Sequence, residues 1–382
     1  MTISWLLITG GILLLYIGLI SAFLIGWNRL KYIHVQKHTL KSTYSFIIPV
    51  RNEQNNILQL LHSIIQQDYP PDHFEIIVID DHSEDNTVQA VKKFKNKHFQ
   101  YRIQIIRLDD NHYAKKQAQQ LGISKARHEF LIFSDADCYI NPYYLKTINE
   151  YIRHLQPKIL LGPVAIKQNK DLLSKFQSLE FSSLIFSAAG ALGISQPILA
   201  NGANMIVDKL VFQDHPEQDI FMEKYASGDD MFLLEFIRQT YGTNYISFMN
   251  HSHGIVTTNA QHSISDFFKQ RKRWVSKSKA YKNPFLVFTA VVVLLTAIFQ
   301  ILTIFFAFYS ETGLWMMAGF WTGKAIVDFM ALQTINQFLR TGINSLLFVV
   351  SSLIYPFYVV TTSFLGLTTR YEWKKRIYSL RP

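Results

Sequence analysis

The sequence predicts an α/β domain with a mainly parallel sheet covered by helices on both faces, set between membrane-spanning α-helices at the two ends of the chain. Three observations carry this. Residues 44 to 166 alternate short runs rich in Ile, Val and Phe with stretches whose apolar residues recur at helical spacing. Residues 3 to 27 form an apolar run without a charge, and the composition returns to that type beyond Pro284. The strand-like run Glu129–Ser134 ends on two carboxylates one residue apart, Asp135 and Asp137.

The first run, Ile3 to Trp27, is long enough to cross a hydrocarbon core of about 30 Å. It lacks the positive start and small-residue cleavage site of a signal peptide, so residues 1–28 read as a retained anchor. Arg29, Lys31, Lys37 and Lys41 follow it, which places the next domain in the cytoplasm.

Residues 42–283 read as that cytoplasmic domain. Strands are expected at Tyr44–Val50, Glu75–Asp80, Tyr101–Leu108 and Glu129–Ser134. Helices are expected at Asn55–Gln66, Asp85–Phe94 and Tyr113–Ala126, with Gly122 ending the last. Residues 176–207 are apolar and rich in Gly, Ala and Ser. Pro197 and Gly202 argue against one spanning helix, so a wall facing membrane or substrate is expected there.

Residues 263–281 form a basic amphipathic helix. Ile264, Phe267, Phe268, Arg271, Trp274 and Val275 lie on one stripe, which suits the membrane interface. Residues 284–369 carry two to three spans. Phe285–Tyr309 and Leu346–Leu367 are strong, whereas Leu314–Leu332 carries Lys324 and Asp328, which can pair at i,i+4. Three spans would put the basic tail, residues 370–382, outside, yet its Arg and Lys residues argue for inside. A re-entrant or interfacial middle segment would remove that conflict.

The formal charge is +10 over 382 residues, which admits nucleic acid or an anionic membrane as partner. The apolar ends decide for membrane lipids, and no basic–aromatic groove outside the interfacial helix supports nucleic acid. Cys138 is the sole cysteine, which excludes an intrachain disulfide and cysteine-type zinc sites.

Ligands of open α/β sheets sit beyond the carboxyl ends of the strands, where Asp135 and Asp137 fall. Hard oxygen donors there suit Mg²⁺ or Mn²⁺ bridging substrate phosphates. An Asp-x-Asp triplet arises about once by chance in a chain this long, so convergence with other residues matters. Pro49, Arg51 and Glu53 end the first strand and Asp80 and Asp81 the second. There, turn chemistry and recognition of a base or ribose both fit. Lys115 opens a helix at the same edge, as a phosphate contact or a solvated face. Gly228-Asp229-Asp230 begins another helix, as a cap or as a general base on an acceptor hydroxyl. Gln270, Arg273 and Trp274 lie in the amphipathic helix, where arginine can grip a diphosphate and tryptophan can stack on a sugar.

In this order and spacing, the marks Ile48-Pro49-Val50-Arg51-Asn52-Glu53, Asp80-Asp81-x-Ser83-x-Asp85-x-Thr87, Lys115-x-x-Ala118, Asp135-x-Asp137, Gly228-Asp229-Asp230 and Gln270-x-x-Arg273-Trp274 resemble the membrane-bound family 2 glycosyltransferases of the GT-A fold. That group includes cellulose and hyaluronan synthases and polyprenyl-phosphate sugar transferases. The resemblance spans roughly Ser42 to Tyr281 and implies inverting transfer of a sugar from a nucleotide donor to a lipid-linked or glycan acceptor. It implies that Pro49, Arg51, Glu53, Asp80, Asp81, Lys115, Asp135 and Ala136 line the nucleotide-sugar. Asp137, with Asp135, would hold Mg²⁺ or Mn²⁺. Asp230 would be the base, with Asp229 as second choice, and Gln270, Arg273 and Trp274 would close over diphosphate and acceptor. Two positions depart from the pattern: His82 stands where glycine is common, and Gln119-Gln120 replaces Leu-Asn. A processive synthase and a membrane scaffold with a degenerate domain are the alternative readings.

Overall fold

The computed structural model describes residues 2–35, 41–109, 114–222, 228–277, 280–342, 344–366, 370–373 and 376–379. Lys37, Tyr113 and Leu367, named above, lie outside these residues, as do 278–279 of the amphipathic stretch and 374–375 and 380–382 of the tail. In chain order the elements begin with α1 (Thr2–Arg29), β1 (Tyr44–Val50), α2 (Ile57–Ile65), β2 (Phe74–Asp80), α3 (Thr87–Lys97), β3 (Arg102–Arg107), α4 (Lys115–Lys125) and β4 (Phe130–Phe133). There follow β5 (Tyr139–Ile140), α5 (Tyr144–Leu155), β6 (Ile159–Leu161), β7 (Val164–Ile166), α6 (Leu172–Gly193), β8 (Met205–Asp208), α7 (Leu210–Gln213) and α8 (Asp229–Thr240). The chain closes with β9 (Ile246–Phe248), β10 (Val256–Thr258), α9 (Ile264–Val275), α10 (Pro284–Ala307), α11 (Glu311–Leu339), α12 (Ser345–Gly366), β11 (Arg370–Trp373) and β12 (Arg376–Ser379).

These elements form two compact units, one of residues 30–167 with 199–259, the other of residues 1–29, 168–198 and 260–382. The boundary differs from the one expected at residue 283. Helices α6 and α9 belong with the apolar helices, because both bury their apolar faces there.

In the α/β unit the described residues form a seven-stranded sheet of order β3-β2-β1-β4-β8-β6-β9. Strands β3, β2, β1 and β4 are parallel, and β8 runs antiparallel between β4 and β6. The near-continuous apolar runs are explained by burial on both faces: every residue of β2 is buried, as are six of seven in β1. Glu75, buried within β2, is satisfied by Ser45 Oγ at 2.8 Å, Arg102 Nε at 2.8 Å and Arg127 N at 2.8 Å.

Pro49 is tolerated in this central strand for a readable reason. Ile47 O accepts from Ser134 N, so odd residues of β1 point their backbone toward β4. Pairing with β4 ends at Ile47↔Phe133, and the missing Pro49 N–H therefore faces a place where no ladder bond is needed.

One local expectation is corrected. Helix α4 runs through Gly122 to Lys125. A Cβ at 122 would lie 2.7 Å from Ile47 Cγ2 and 2.8 Å from Ile79 Cδ1, so this glycine lets the helix lie close on β1 and β2. Residues 176–207 are, as expected, not one spanning helix: the helix Leu172–Gly193 ends before Pro197, and Met205–Asp208 is a strand, but the first part is more regular than expected.

Among the described residues of the helical unit three helices are long and apolar enough to cross a membrane: Ser4–Arg29, Pro284–Ala307 and Ser345–Gly366. Helix α11 between the last two is uninterrupted over 29 residues, so it is not a re-entrant hairpin. Its Lys324 and Asp328 pair as expected, and Tyr16 Oη donates to Asp328 Oδ1 at 2.6 Å. Helices α1 and α6 cross backbone to backbone. A Cβ on Gly26 would meet Gly190 O at 1.9 Å, and one on Gly193 would meet Gly26 O at 1.9 Å. Strands β11 and β12 form a hairpin from part of the basic tail. Gly366, ending α12, abuts Val275, ending α9.

The stripe of that helix faces protein rather than lipid at its centre. Phe267 and Arg271 are buried, Phe267 against Phe176 of α6 and Tyr358 of α12, while Ile264 is exposed.

Candidate active site

The strand order reverses between β1 and β4, and the crevice beyond their carboxyl ends is where such sheets bind ligands. The residues expected in the α/β unit collect along this edge. Beyond β1 and β2 the loops are stitched to each other. Arg51 Nη1 donates to Asp81 O at 2.9 Å, Asn52 N to Ser83 Oγ at 3.0 Å and Glu53 N to Thr87 Oγ1 at 2.8 Å. Gln54 N donates to Asp85 Oδ2 at 3.2 Å. Ser83, Asp85 and Thr87 thus shape the loop, and Arg51 directs its guanidinium to that task. Asn52 at φ +52° and His82 at φ +57° hold left-handed turns, so His82 adopts the conformation a glycine would take.

Asp80 and Asp81 are both buried. Ser83 N donates to Asp80 Oδ1 at 3.0 Å, while Asp80 Oδ2 is buried with no donor among the described residues. An orphaned carboxylate oxygen at a strand end is a ready acceptor for a ligand N–H or O–H.

Beyond β4, Cys138 N closes a turn on Asp135 O at 3.1 Å and buries Ala136 beneath it. Burial and the neighbouring Asp137 and Asp135 push the Cys138 thiol up, so it stays a neutral packing group. Thr258 Oγ1 on β10 donates to Asp137 Oδ2 at 2.8 Å. Burial, then the charges of Asp135 and Glu53, push the Asp137 carboxyl up to about 6.

Lys115 Nζ lies 2.6 Å from Asp135 Oδ1 and 4.0 Å from Asp229 Oδ2. Burial alone would lower its pKa, but Asp135 and Asp229 hold the ammonium above its ordinary value. The residue before it, Ala114, takes φ +103°, a strained conformation for a residue with a side chain. Gln119 Nε2 donates to Asp229 Oδ2 at 2.8 Å, which gives the departure at 119 a purpose. Asp229 is buried and Asp230 half-buried, its Oδ2 accepting from Gly202 N at 3.2 Å. Asp135, Lys115, Asp229, Asp230 and Gly202 therefore share one small space.

Among the described residues no three His, Cys, Asp or Glu side chains are grouped to hold a metal ion. A Zn²⁺-type site with three protein ligands does not fit. Two hard carboxylates completed by diphosphate and water do fit a divalent cation of the Mg²⁺ type. With Lys115 engaged on Asp135, the crowded Asp137 is the carboxylate best suited to it.

Residues 45–209 match the model of glycosyl transferase family 2, and residues 130–366 that of glycosyl transferase family group 2. The chain belongs to the family 2 glycosyltransferases. This glycosyltransferase is 34% identical over 118 residues to the poly(ribitol-phosphate) beta-N-acetylglucosaminyltransferase TarS of Staphylococcus aureus, covering 31% of this chain and 20% of that one. It is 29% identical over 162 residues to the poly-beta-1,6-N-acetyl-D-glucosamine synthase of Staphylococcus epidermidis, covering 42% of this chain and 37% of the other. The matches thus span 20% and 37% of those relatives' lengths. The mannosyltransferase PcManGT from Pyrobaculum calidifontis, solved with GDP-Man and Mn²⁺, superposes with a TM-score of 0.55 at 16% identity, covering 96% of this chain and 95% of that one. That likeness shows the GT-A fold.

Gln270, Arg273 and Trp274 of the family pattern lie on α9 in the helical unit, all half-buried. Sequence reading passed over Thr258, Gln119 and Gly202 as contributors. Thr258 lies 121 residues from Asp137 and carries no local signal, whereas the departure at Gln119 was itself a pointer.

Proposed function

We propose that this glycosyltransferase carries out inverting transfer of a sugar from a nucleoside-diphosphate donor to a hydroxyl of a lipid-linked or glycan acceptor at the cytoplasmic face of a membrane. The observation that supports this best is the convergence of Asp135, Lys115, Asp229 and Asp230 at the switch point of the sheet. Asp230, half-buried and oriented by the Gly202 N–H, takes the proton from the acceptor hydroxyl as the new bond to the sugar C1 forms. The bond from C1 to the diphosphate oxygen breaks, and the diphosphate leaves with the electron pair. Asp229, held by Gln119 and Lys115, fixes the turn that presents Asp230.

Asp80 supplies an acceptor to the base or ribose. Asp81, Pro49, Glu53 and Ala136 complete that wall, with Arg51 bracing it from within. Asp137 and Asp135 would hold Mg²⁺ or Mn²⁺, which when bound neutralises the leaving diphosphate as a Lewis acid. Gln270 and Arg273 bind the diphosphate and Trp274 the acceptor end. The three apolar helices and the basic flanks suit lipid contact.

The test is release of free nucleotide from a panel of UDP- and GDP-sugars by purified protein in detergent, with Mg²⁺ or Mn²⁺ and with chelator. No turnover of any donor, with lipid-linked acceptors supplied, would sink the reading. A processive synthase is the second reading, supported by the Gln270-x-x-Arg273-Trp274 pattern, and product length on a gel separates it from single addition.

A further inference from the structure

We propose that Glu180, on α6, is a positioning residue for the Gln270-x-x-Arg273-Trp274 segment, acting through Arg271, the buried arginine inside that segment. This rests on the reading that the segment binds donor diphosphate and acceptor.

Arg271 is 2% exposed and Glu180 6%, so neither reaches a ligand from solvent. The guanidinium meets the carboxylate along two edges, Nε to Oε1 at 3.1 Å and Nη2 to Oε2 in a close ion pair. This fork geometry fixes the plane of the guanidinium as well as its place. Tyr358 Oη on α12 donates to the same Glu180 Oε1 at 2.8 Å, so α6, α9 and α12 meet at one carboxylate.

Held this way, Arg271 touches two of the three residues that the family pattern marks. Its Nη1 donates to Gln270 Oε1, and its guanidinium carbon lies 4.2 Å from the centre of the Trp274 ring. The opposite contact is the Phe267 ring at 4.5 Å. Trp274 is further backed by Phe181 of α6, 6.0 Å between ring centres. Arg273 is two residues on, roughly 200° around the helix, and is half-buried.

A buried ion pair is a costly way to join three helices, because an apolar residue of similar size often serves stability as well or better. What the pair supplies that an apolar contact does not is direction. A planar cation clamped by carboxylate sets the rotamers of Gln270 and Trp274 before any substrate arrives.

The experiment uses the full chain in detergent, with Glu180→Gln, Glu180→Asp, Arg271→Lys and Tyr358→Phe. Three quantities are read: donor KM and kcat, the emission of Trp274 (taken as the difference from a matched Trp274→Phe protein), and the melting temperature. Glu180→Gln is expected to lower kcat/KM about 30-fold and to shift Trp274 emission, and, because it strands the buried Arg271 charge, to lower the melting temperature as well. Glu180→Asp should recover part of the loss. Arg271→Lys should behave like Glu180→Gln, because an ammonium cannot form the fork. Tyr358→Phe should cost about 3-fold.

Unchanged kcat/KM in Glu180→Gln, or Trp274 emission unmoved there and in Tyr358→Phe, would overturn the proposal. If Glu180→Gln does not fold, Tyr358→Phe decides alone, since it removes a single hydroxyl. If the wild type turns over no nucleotide-sugar, the transferase reading fails by itself, and the Trp274 emission still decides whether Glu180 positions the segment.

Discussion

Asp137 at the rim of the sheet has two carboxylates, Asp135 and Glu53, among the groups acting on it, with Thr258 donating to it. In the helical unit, Glu180 faces Arg271 and Tyr358, and Asp328 faces Lys324 and Tyr16. All three carboxylates are drawn away from water, but only the latter two are balanced by a cation and a hydroxyl. A balanced pair needs no further counter-ion, whether it only joins helices, as Lys324 with Asp328, or also orients a neighbouring segment, as Glu180 with Arg271. Burial, then negative charge crowded with no counter-ion among the described residues, holds the Asp137 carboxyl up at about 6 and leaves room for a cation brought by a ligand. The difference marks where a cation brought by a ligand can enter.

The strongest way to break this comparison is at the rim. Asp230→Asn is expected to lower kcat about 10²- to 10⁴-fold while nucleotide binding persists, measured by turnover and by calorimetry. Asp137→Asn should lower metal-stimulated turnover about 10²- to 10³-fold. The same substitution should leave the melting temperature at pH 7 unchanged or raised. The folded protein holds this carboxyl near 6 against an ordinary 3.8, so the fold prefers the protonated form. Its charge therefore weakens the fold fully above about pH 6 and not at all below 3.8. The gain in wild-type stability on going from pH 7 toward 4 should be smaller in Asp137→Asn. A variant melting well below wild type would place Asp137 with the architectural pairs instead.

In the helical unit the expectation is reversed. Asp328→Asn strands Lys324 among apolar helices and should cost about 3 kcal/mol in thermal melts in detergent. The double variant Lys324→Met with Asp328→Leu should recover most of that, because matched removal leaves no orphan charge. Failure of the double variant to recover would mean that the pair does more than join helices.

A buried base gives the smallest effect and a control of opposite sign. Burial, then the neighbouring His253 and His34, holds the His251 imidazole down at about 4, and it accepts from His253 N at 3.1 Å. The unfolded chain binds this proton between about 6.5 and 4 while the fold does not, so its contribution to stability fades as pH falls through that window. His251→Gln should flatten the pH dependence of melting there without changing turnover at pH 7.

Strand ends proved easier to read than helix ends. Strands β1 to β4 fall within two residues of expectation, because buried β runs are bounded by sharp polar turns. Gly122 misled at α4, since a glycine needed for close approach looks the same in sequence as one that ends a helix. At Pro197 and Gly202 the breakers were read rightly, since the helix ends at Gly193 and a strand begins at Met205. The stripe of α9 was correctly drawn, but periodicity does not say whether lipid or protein covers it.

The sequence by itself determined that parallel strands would end on carboxylates and that apolar helices would flank them, because both follow from local period and composition. Only the tertiary structure decided that β1 and β4 are neighbours, that Thr258 and Gln119 attend Asp137 and Asp229, and that Glu180 meets Arg271. Those partners stand 121, 110 and 91 residues apart. A hydrogen bond across that distance leaves no period in the chain, and exists only once the sheet and the helices have closed around it.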